Sequence, residues 1–192
     1  MKAISLWQPW ASLLVLGLKR FETRDYPLPH SLRGERVAIH AAKKRVVMLD
    51  HLARALNVYL GHYGLKLPDL PHGAVVGVVD FKDSYQMGAR IPGDPNGATW
   101  DVRELVTRRC PAYVDYRGEH ALGDFRLNRL AWEVVAPVAL RSPIPYSGSQ
   151  GVFHLDLPTS TEIWNRLGDQ AVKPQPITRE ITRPILNEGN RS

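Results

Sequence analysis

The chain has 192 residues, 44% hydrophobic and 23% charged, enough to bury one proper core with no case for a second. Its formal net charge of +6 suits a polyanionic partner. Cys110 is the single cysteine, which excludes an intrachain disulfide and a cysteine-based zinc cluster and points to a reducing compartment. The sequence contains neither a glycine-rich phosphate loop nor an H-E-x-x-H helix. Lys2 and the apolar residues after it superficially resemble a signal peptide. Gln8, Pro9 and two tryptophans interrupt them, and Lys19-Arg20 stands where a small-residue cleavage site belongs. No apolar run approaches the roughly 20 residues needed to cross a bilayer. The expectation is a soluble, cytoplasmic protein with no membrane association.

In chain order, Ala3 to Leu6 reads as a short strand that turns into a helix. Pro9 suits the first helical position, where its missing N–H is not needed. Ala11 to Leu16 continue the helix, and Gly17 fits the left-handed residue that closes it. Phe21 to Arg24 reads as a strand, with Phe21 and Thr23 on one face and Glu22 and Arg24 on the other. A Pro-rich turn region (25–33) leads to a strand at Val37 to His40. Val47, Leu49, Leu52, Leu56 and Leu60 recur near helical spacing, predicting a helix from Lys44 to about Tyr63. Ala74 to Phe81 is nearly all apolar, as in a strand buried on both faces.

The stretch 82–128 is rich in turn-formers, among them Pro92, Gly93, Pro95 and Gly97. It reads as a long insertion carrying at least one short strand near Ala112 to Tyr116, and loops of that length are usually functional or mobile. Trp132 to Leu140 and Gly151 to Leu155 are further strands. Thr159 with Glu162 forms a capping box for a last helix that runs to about Leu167. Beyond Gly168 the apolar density falls and prolines accumulate, so 168–192 is expected to be a disordered or extended tail.

Chemistry-bearing residues concentrate near the amino terminus. Glu22 and Arg24 share a strand face with Lys19 at its entrance. The bland reading is an exposed ion-pair cluster, which contributes under about 1 kcal/mol. The functional reading is a carboxylate kept ionised by two cations, Arg24 gripping a phosphate as a fork and Lys19 as a point charge. Between His30 and Arg54, six cationic residues, Lys43, Lys44 and Arg45 among them, face two acidic ones. Trp7 and Trp10 either pack in the core or offer a flat platform for an unstacked base, with Trp7 preferred for that role. His40 is either a satisfied strand-end histidine or a catalytic one. Ser147-Gly148-Ser149-Gln150-Gly151 is a turn whose N–H groups and Gln150 amide can line a ligand mouth.

The pattern Gly17-x-Lys19-x-x-Glu22-x-Arg24, following Trp7-Gln8-Pro9-Trp10, resembles the signature of the ASCH domain family, whose fold is similar to the PUA RNA-binding domains. Arg36–Lys43, Gly73–Asp80, Ala131–Val134 and Pro143–Phe153 are similar to further family segments and occur in family order. The resemblance runs from Lys2 to about Leu157. It implies an α+β fold, a PUA-like mixed curved β-barrel with packed helices, occupying 1–167 with the insertion at 82–128. It implies an RNA, nucleotide or nucleoside partner and a cleft built from Lys19, Glu22, Arg24, His40 and Lys43, with Trp7, Trp10, Lys44, Arg45 and Gln150 as further ligand contacts. It implies no cofactor and no metal.

Two enzymatic alternatives follow from relatives. One is a metal-independent ribonuclease, in which Glu22 or His40 takes the 2′-hydroxyl proton while Lys19 and Arg24 stabilise phosphate charge. The other is an amidohydrolase acting on N4-acetylcytidine through a Lys and a Thr. The position matching that Thr is Glu22, and Thr23 lies next door on the opposite face. This departure weakens the amidohydrolase reading.

Overall fold

The structure, a computed structural model, describes the backbone of residues 1–90, 99–104, 112–115 and 122–169, with side chains for 1–87 and 122–168. The tail beyond Asp169 and most of the 91–121 stretch, including Tyr116, lie outside the described residues. Strand β1 (Lys2–Leu6) leads into helix α1 (Trp10–Val15), then β2 (Phe21–Arg24), β3 (Arg36–Ala41) and α2 (Asp50–Gly61). The long strands β4 (Ala74–Arg90) and β7 (Leu130–Pro145) flank β5 (Thr99–Glu104) and β6 (Ala112–Asp115), and β8 (Val152–His154) precedes α3 (Leu157–Asp169). All eight strands among the described residues belong to one mixed sheet with the path β2-β7-β4-β3-β1-β8, from which β5 and β6 extend beyond β4. The fold class is α+β, with a curved half-barrel sheet. The path is open at β2 and β8.

Alternation within the strands makes the two faces. Ile4, Val37, Ile39, Val76 and Val79 point into a core under α1 with Leu14, Phe81 and Trp132. Ala3, Ala38, Val75 and Val78 point the other way, into a second core with Leu155 and Ile163 of α3. A β-strand throws successive side chains to opposite faces, so one sheet serves both cores. Parallel pairing of β1 with β3 sets Ser5 opposite His40, a register that matters for the site.

Helix α1 ends where Gly17 (φ 71°) takes the left-handed conformation. The Gly17 N–H donates to Leu14 O (3.1 Å) and the Leu18 N–H to Leu13 O (2.9 Å), a Schellman closure that satisfies the last carbonyls. That closure ends the helix ahead of β2, with Lys19 in the connection. Pro9 sits one place earlier than expected, at the N-cap. Helix α1 lies close over β4, because a Cβ at Gly77 would stand 2.7 Å from Val15 Cβ, and it would also meet Val138 O of β7 at 2.3 Å.

Several expectations need correction. The second helix begins at Asp50, not Lys44, and Val47 and Leu49 are exposed at 98% and 68%. Strand β4 continues to Arg90, well past Phe81, and its extension forms an antiparallel three-strand unit with β5 and β6. The stretch after Phe81 is therefore sheet at 82–90, 99–104 and 112–115 but turn and loop at 122–128, and the strand near 112–116 is Ala112–Asp115. The expected closing strands at Trp132–Leu140 and Pro143 onward are one element, β7, bent by register shifts against β4 and by a positive φ at Ala136. Helix α3 starts at Leu157, so Thr159 is not its cap. Asp156 takes that place, its Oδ1 accepting from the Thr159 N–H at 2.7 Å, and Glu162 pairs with Arg166 instead. Among the described residues no helix is long and apolar enough to cross a membrane.

Candidate functional site

A cavity of about 1380 Å³ opens between β2 and the β7–β8 loop. Small-molecule sites are typically about 300–1,000 Å³, so there is room for more than one nucleoside. From the amino-terminal side Ser5, Trp7 and Trp10 line it. Gln8 holds that segment. Its amide donates to Pro71 O (2.7 Å) and Ser12 Oγ (2.8 Å), and its Oε1 accepts from the Ser12 N–H (3.2 Å). With Gln8 and Pro9 turned inward, Trp7 is left 54% exposed at the rim and Trp10 half-buried.

Lys19, Glu22, Thr23 and Arg24 form the β2 wall. Lys19 is not the exposed cation the sequence suggests. Its side chain is 1% exposed, and Nζ donates to Phe21 O and to Glu22 Oε2, the latter at 3.0 Å. Arg24 Nε stands 3.2 Å from the other oxygen, Oε1, without hydrogen-bond alignment, and the guanidinium lies over the Trp132 ring at 5.7 Å. Pairing of Glu22 with Trp132 and Arg24 with Leu130 places both side chains on one face, as alternation requires. Thr23 nevertheless also lines the cavity. Its Oγ1 accepts from the Asp124 N–H at 3.1 Å.

His40 lies on β3 and is buried. Its Nε2 donates to the Tyr146 carbonyl (3.0 Å), which leaves Nδ1 to accept from the Ser5 hydroxyl (2.9 Å). Burial lowers its pKa below the ordinary 6.5, with the Tyr146 carbonyl pulling weakly the other way. The imidazole is therefore neutral at pH 7 and bridges β1 to the loop after β7. Gly148 of that loop sits directly on the pair, since a Cβ there would fall 2.3 Å from Nδ1 and 2.7 Å from Ser5 Oγ. Gln150 lines the same side and is exposed.

Lys43 and Lys44 line the cavity from the bend after β3, several residues ahead of α2 rather than at its start. Arg45 is exposed and outside the lining. The structure thus brings together Trp7, Trp10, Lys19, Glu22, Arg24, His40, Lys43, Lys44 and Gln150, and leaves Arg45 out. Sequence reasoning missed Ser5, His72, Asp124 and Arg129, all in the lining. Ser5 had a readable signal, being the strand neighbour of the Trp-Gln-Pro-Trp segment. Asp124 and Arg129 had none, because they sit in or next to the stretch read as an insertion. Among the described residues no three His, Cys, Asp or Glu side chains are grouped to hold a metal ion.

No model of a known protein family matches the chain. Over 81 residues it is 38% identical to human Activating signal cointegrator 1, covering 42% of this chain and 14% of that protein. The mouse protein of the same name is 40% identical over 83 residues, with the same coverage. The chain thus spans about one seventh of the length of these relatives. Its structural neighbours include ASCH proteins. The ASCH protein of Zymomonas mobilis aligns over 88% of this chain and 93% of its own, at TM-score 0.43 and 17% identity. A serine-to-alanine variant of that protein aligns over 85% and 94%, at TM-score 0.42 and 18% identity.

Proposed function

We propose that this chain is an ASCH domain protein that binds RNA or nucleotides in the cavity between β2 and the β7–β8 loop. One observation carries the reading: nine residues suited to that chemistry line a single large cavity with a cationic wall and an exposed tryptophan at its rim. Cations for phosphate beside an aromatic face for a base is the combination single-stranded nucleic acids require.

Binding ranks ahead of cleavage because both candidate bases are engaged. Glu22 Oε2 already accepts from Lys19 and Oε1 lies 3.2 Å from Arg24 Nε, so a proton arriving at either oxygen meets a cation at close range. The free lone pair of His40 already accepts from Ser5. A metal-independent ribonuclease is the second reading, supported by the neutral His40 imidazole. The amidohydrolase reading ranks third, since Glu22 stands at the position of the catalytic Thr.

Titration with nucleosides, nucleoside monophosphates and short RNAs, paired with turnover assays on RNA and N4-acetylcytidine, tests the proposal. Binding that maps to Trp7, Arg24 and Lys43, without turnover above a mock-purified control, is the expected result. Turnover abolished by Glu22→Gln at unchanged affinity would reverse the order of the readings. No binding by any of these ligands would end the proposal.

A further inference from the structure

The β2 wall carries more positive charge than its carboxylates neutralise. Glu22 is shared by two cations, Lys19 and Arg24. Asp124 is shared by two more. Arg126 grips it with Nε to Oδ1 and Nη2 to Oδ2, both at 2.7 Å, while Arg129 Nε approaches Oδ2 at 3.3 Å. The Arg126 hydrogen bond is the main reason that the Asp124 pKa is lowered. Each carboxylate is thus neutralised once by a well-seated partner, and each has a second guanidinium beside it.

Those second guanidiniums are neighbours. Arg24 pairs across the sheet with Leu130, the residue after Arg129, and Arg129 Nη2 donates to the Thr23 carbonyl at 3.4 Å. Both side chains are about a quarter exposed, and both line the cavity. Neither Nε makes a hydrogen bond within the described residues, although each lies near a carboxylate. The wall therefore carries two surplus positive charges, on two guanidiniums whose side chains both line the cavity.

We propose that Arg24 and Arg129 form a subsite for a phosphomonoester dianion. The inference rests on the nucleotide reading above and specifies its ligand. A monoester phosphate carries about −1.5 to −2 near neutral pH, which matches the surplus, whereas an internal phosphodiester carries one negative charge and leaves one guanidinium uncompensated. Guanidinium forks bind phosphate bidentately. Two sources supply this chemistry: a free mononucleotide, and the phosphorylated end of an RNA strand.

The test compares the four nucleosides, their 5′-monophosphates and the methyl esters of those phosphates by calorimetry. In parallel, 5′-phosphorylated and 5′-hydroxyl forms of one short RNA are titrated. The monophosphates should bind at least about tenfold tighter than both nucleosides and methyl esters, as for hydrogen bonds to a charged group. Arg129→Ala should erase that gain, so that monophosphates bind no tighter than nucleosides in the variant. Arg126→Ala gives the sharper readout. Arg126 is 82% exposed and outside the cavity lining, yet its loss returns Asp124 to Arg129 and should also reduce the gain. A gain confined to mononucleotides identifies a small-molecule site, and one confined to RNA identifies a strand-end site. Nucleosides binding with no monophosphate gain, or a gain untouched by Arg129→Ala, would overturn the subsite while leaving the nucleotide reading intact. Failure of every ligand would instead overturn the reading beneath it.

Discussion

Lys19 Nζ stands 3.0 Å from Glu22 Oε2, with the lysine side chain 1% exposed and the glutamate 10%. This is a buried pair, not a surface one, and the difference sets the size of the effects. Removing one partner of a buried pair typically costs about 3–5 kcal/mol, because the other charge is left without compensation. Glu22→Leu should fall in that range, since Lys19 keeps only the Phe21 carbonyl. Glu22→Gln retains an oxygen for Nζ and should cost less than half as much. Denaturant unfolding of both variants checks this, and equal costs would show that the oxygen retained by glutamine contributes nothing without the charge.

The basic bend after β3 divides cleanly. Lys43 and Lys44 line the cavity while Arg45 does not. Deleting a cation that touches phosphate should reduce the log–log salt slope of RNA binding by roughly one. Lys43→Ala with Lys44→Ala should therefore flatten the slope by about one to two units, and Arg45→Ala should leave it unchanged. Equal effects from all three positions would mean that a diffuse field, rather than the cavity, recruits the RNA.

Much of this site is legible in the sequence for a local reason. Gly17 closing a helix and Glu22 and Arg24 alternating on a strand are short-range rules, and both hold. What fails is long-range. Asp83 and Ser84 look like turn residues, yet both are buried in β4, because Arg33 reaches Asp83 at 2.8 Å and the Leu28 N–H donates to Ser84 Oγ. Partners about fifty residues away make a polar stretch into a buried strand. Arg129 was invisible for the same reason, its backbone partner Thr23 lying 106 residues away. Val47 and Leu49 mislead in the opposite sense, since helical spacing counts apolar residues whether or not anything packs on them.

Gly77 of β4 is crowded by both β7 and α1. A Cβ there would meet Val138 O at 2.3 Å and Val15 Cβ at 2.7 Å. Backbone cannot yield as a side-chain end can, so Gly77→Ala should destabilise at or above the top of the usual overpacking range of about 1–3 kcal/mol. Thermal or denaturant unfolding measures it. A loss under about 1 kcal/mol would mean that the β7 backbone at Val138 and α1 both give way.

His40 makes stability depend on pH. Its folded-state pKa lies below the ordinary 6.5 because burial disfavours the charged ring. As pH falls, the unfolded chain takes up the proton first, so stability is full above about 6.5 and declines until the folded pKa is reached. The slope is at most about 1.4 kcal/mol per pH unit. The comparison of parent and His40→Asn between pH 7.5 and 5.5 isolates this group, because Asp124 and Asp156, also lowered, start from 3.8. A parent curve no steeper than the variant's would remove His40 as the cause.

Trp7 offers the cleanest separation of binding from folding. Its side chain is 54% exposed at the cavity rim, while its neighbours Gln8 and Pro9 are buried and fixed. Surface substitutions of that kind usually change stability by no more than about 0.5 kcal/mol. Stacking of a base on an aromatic side chain contributes about 1–3 kcal/mol. Trp7→Ala should therefore leave the unfolding midpoint nearly unchanged and weaken nucleoside and RNA binding by roughly tenfold, with Trp7→Phe recovering part of the loss. Trp10, half-buried at the start of α1, should lose stability as well as affinity when truncated. Unchanged affinity in Trp7→Ala would move the base elsewhere in the cavity, where Trp10 and Tyr146 also line the wall and Tyr146 stacks on Phe153 at 6.3 Å.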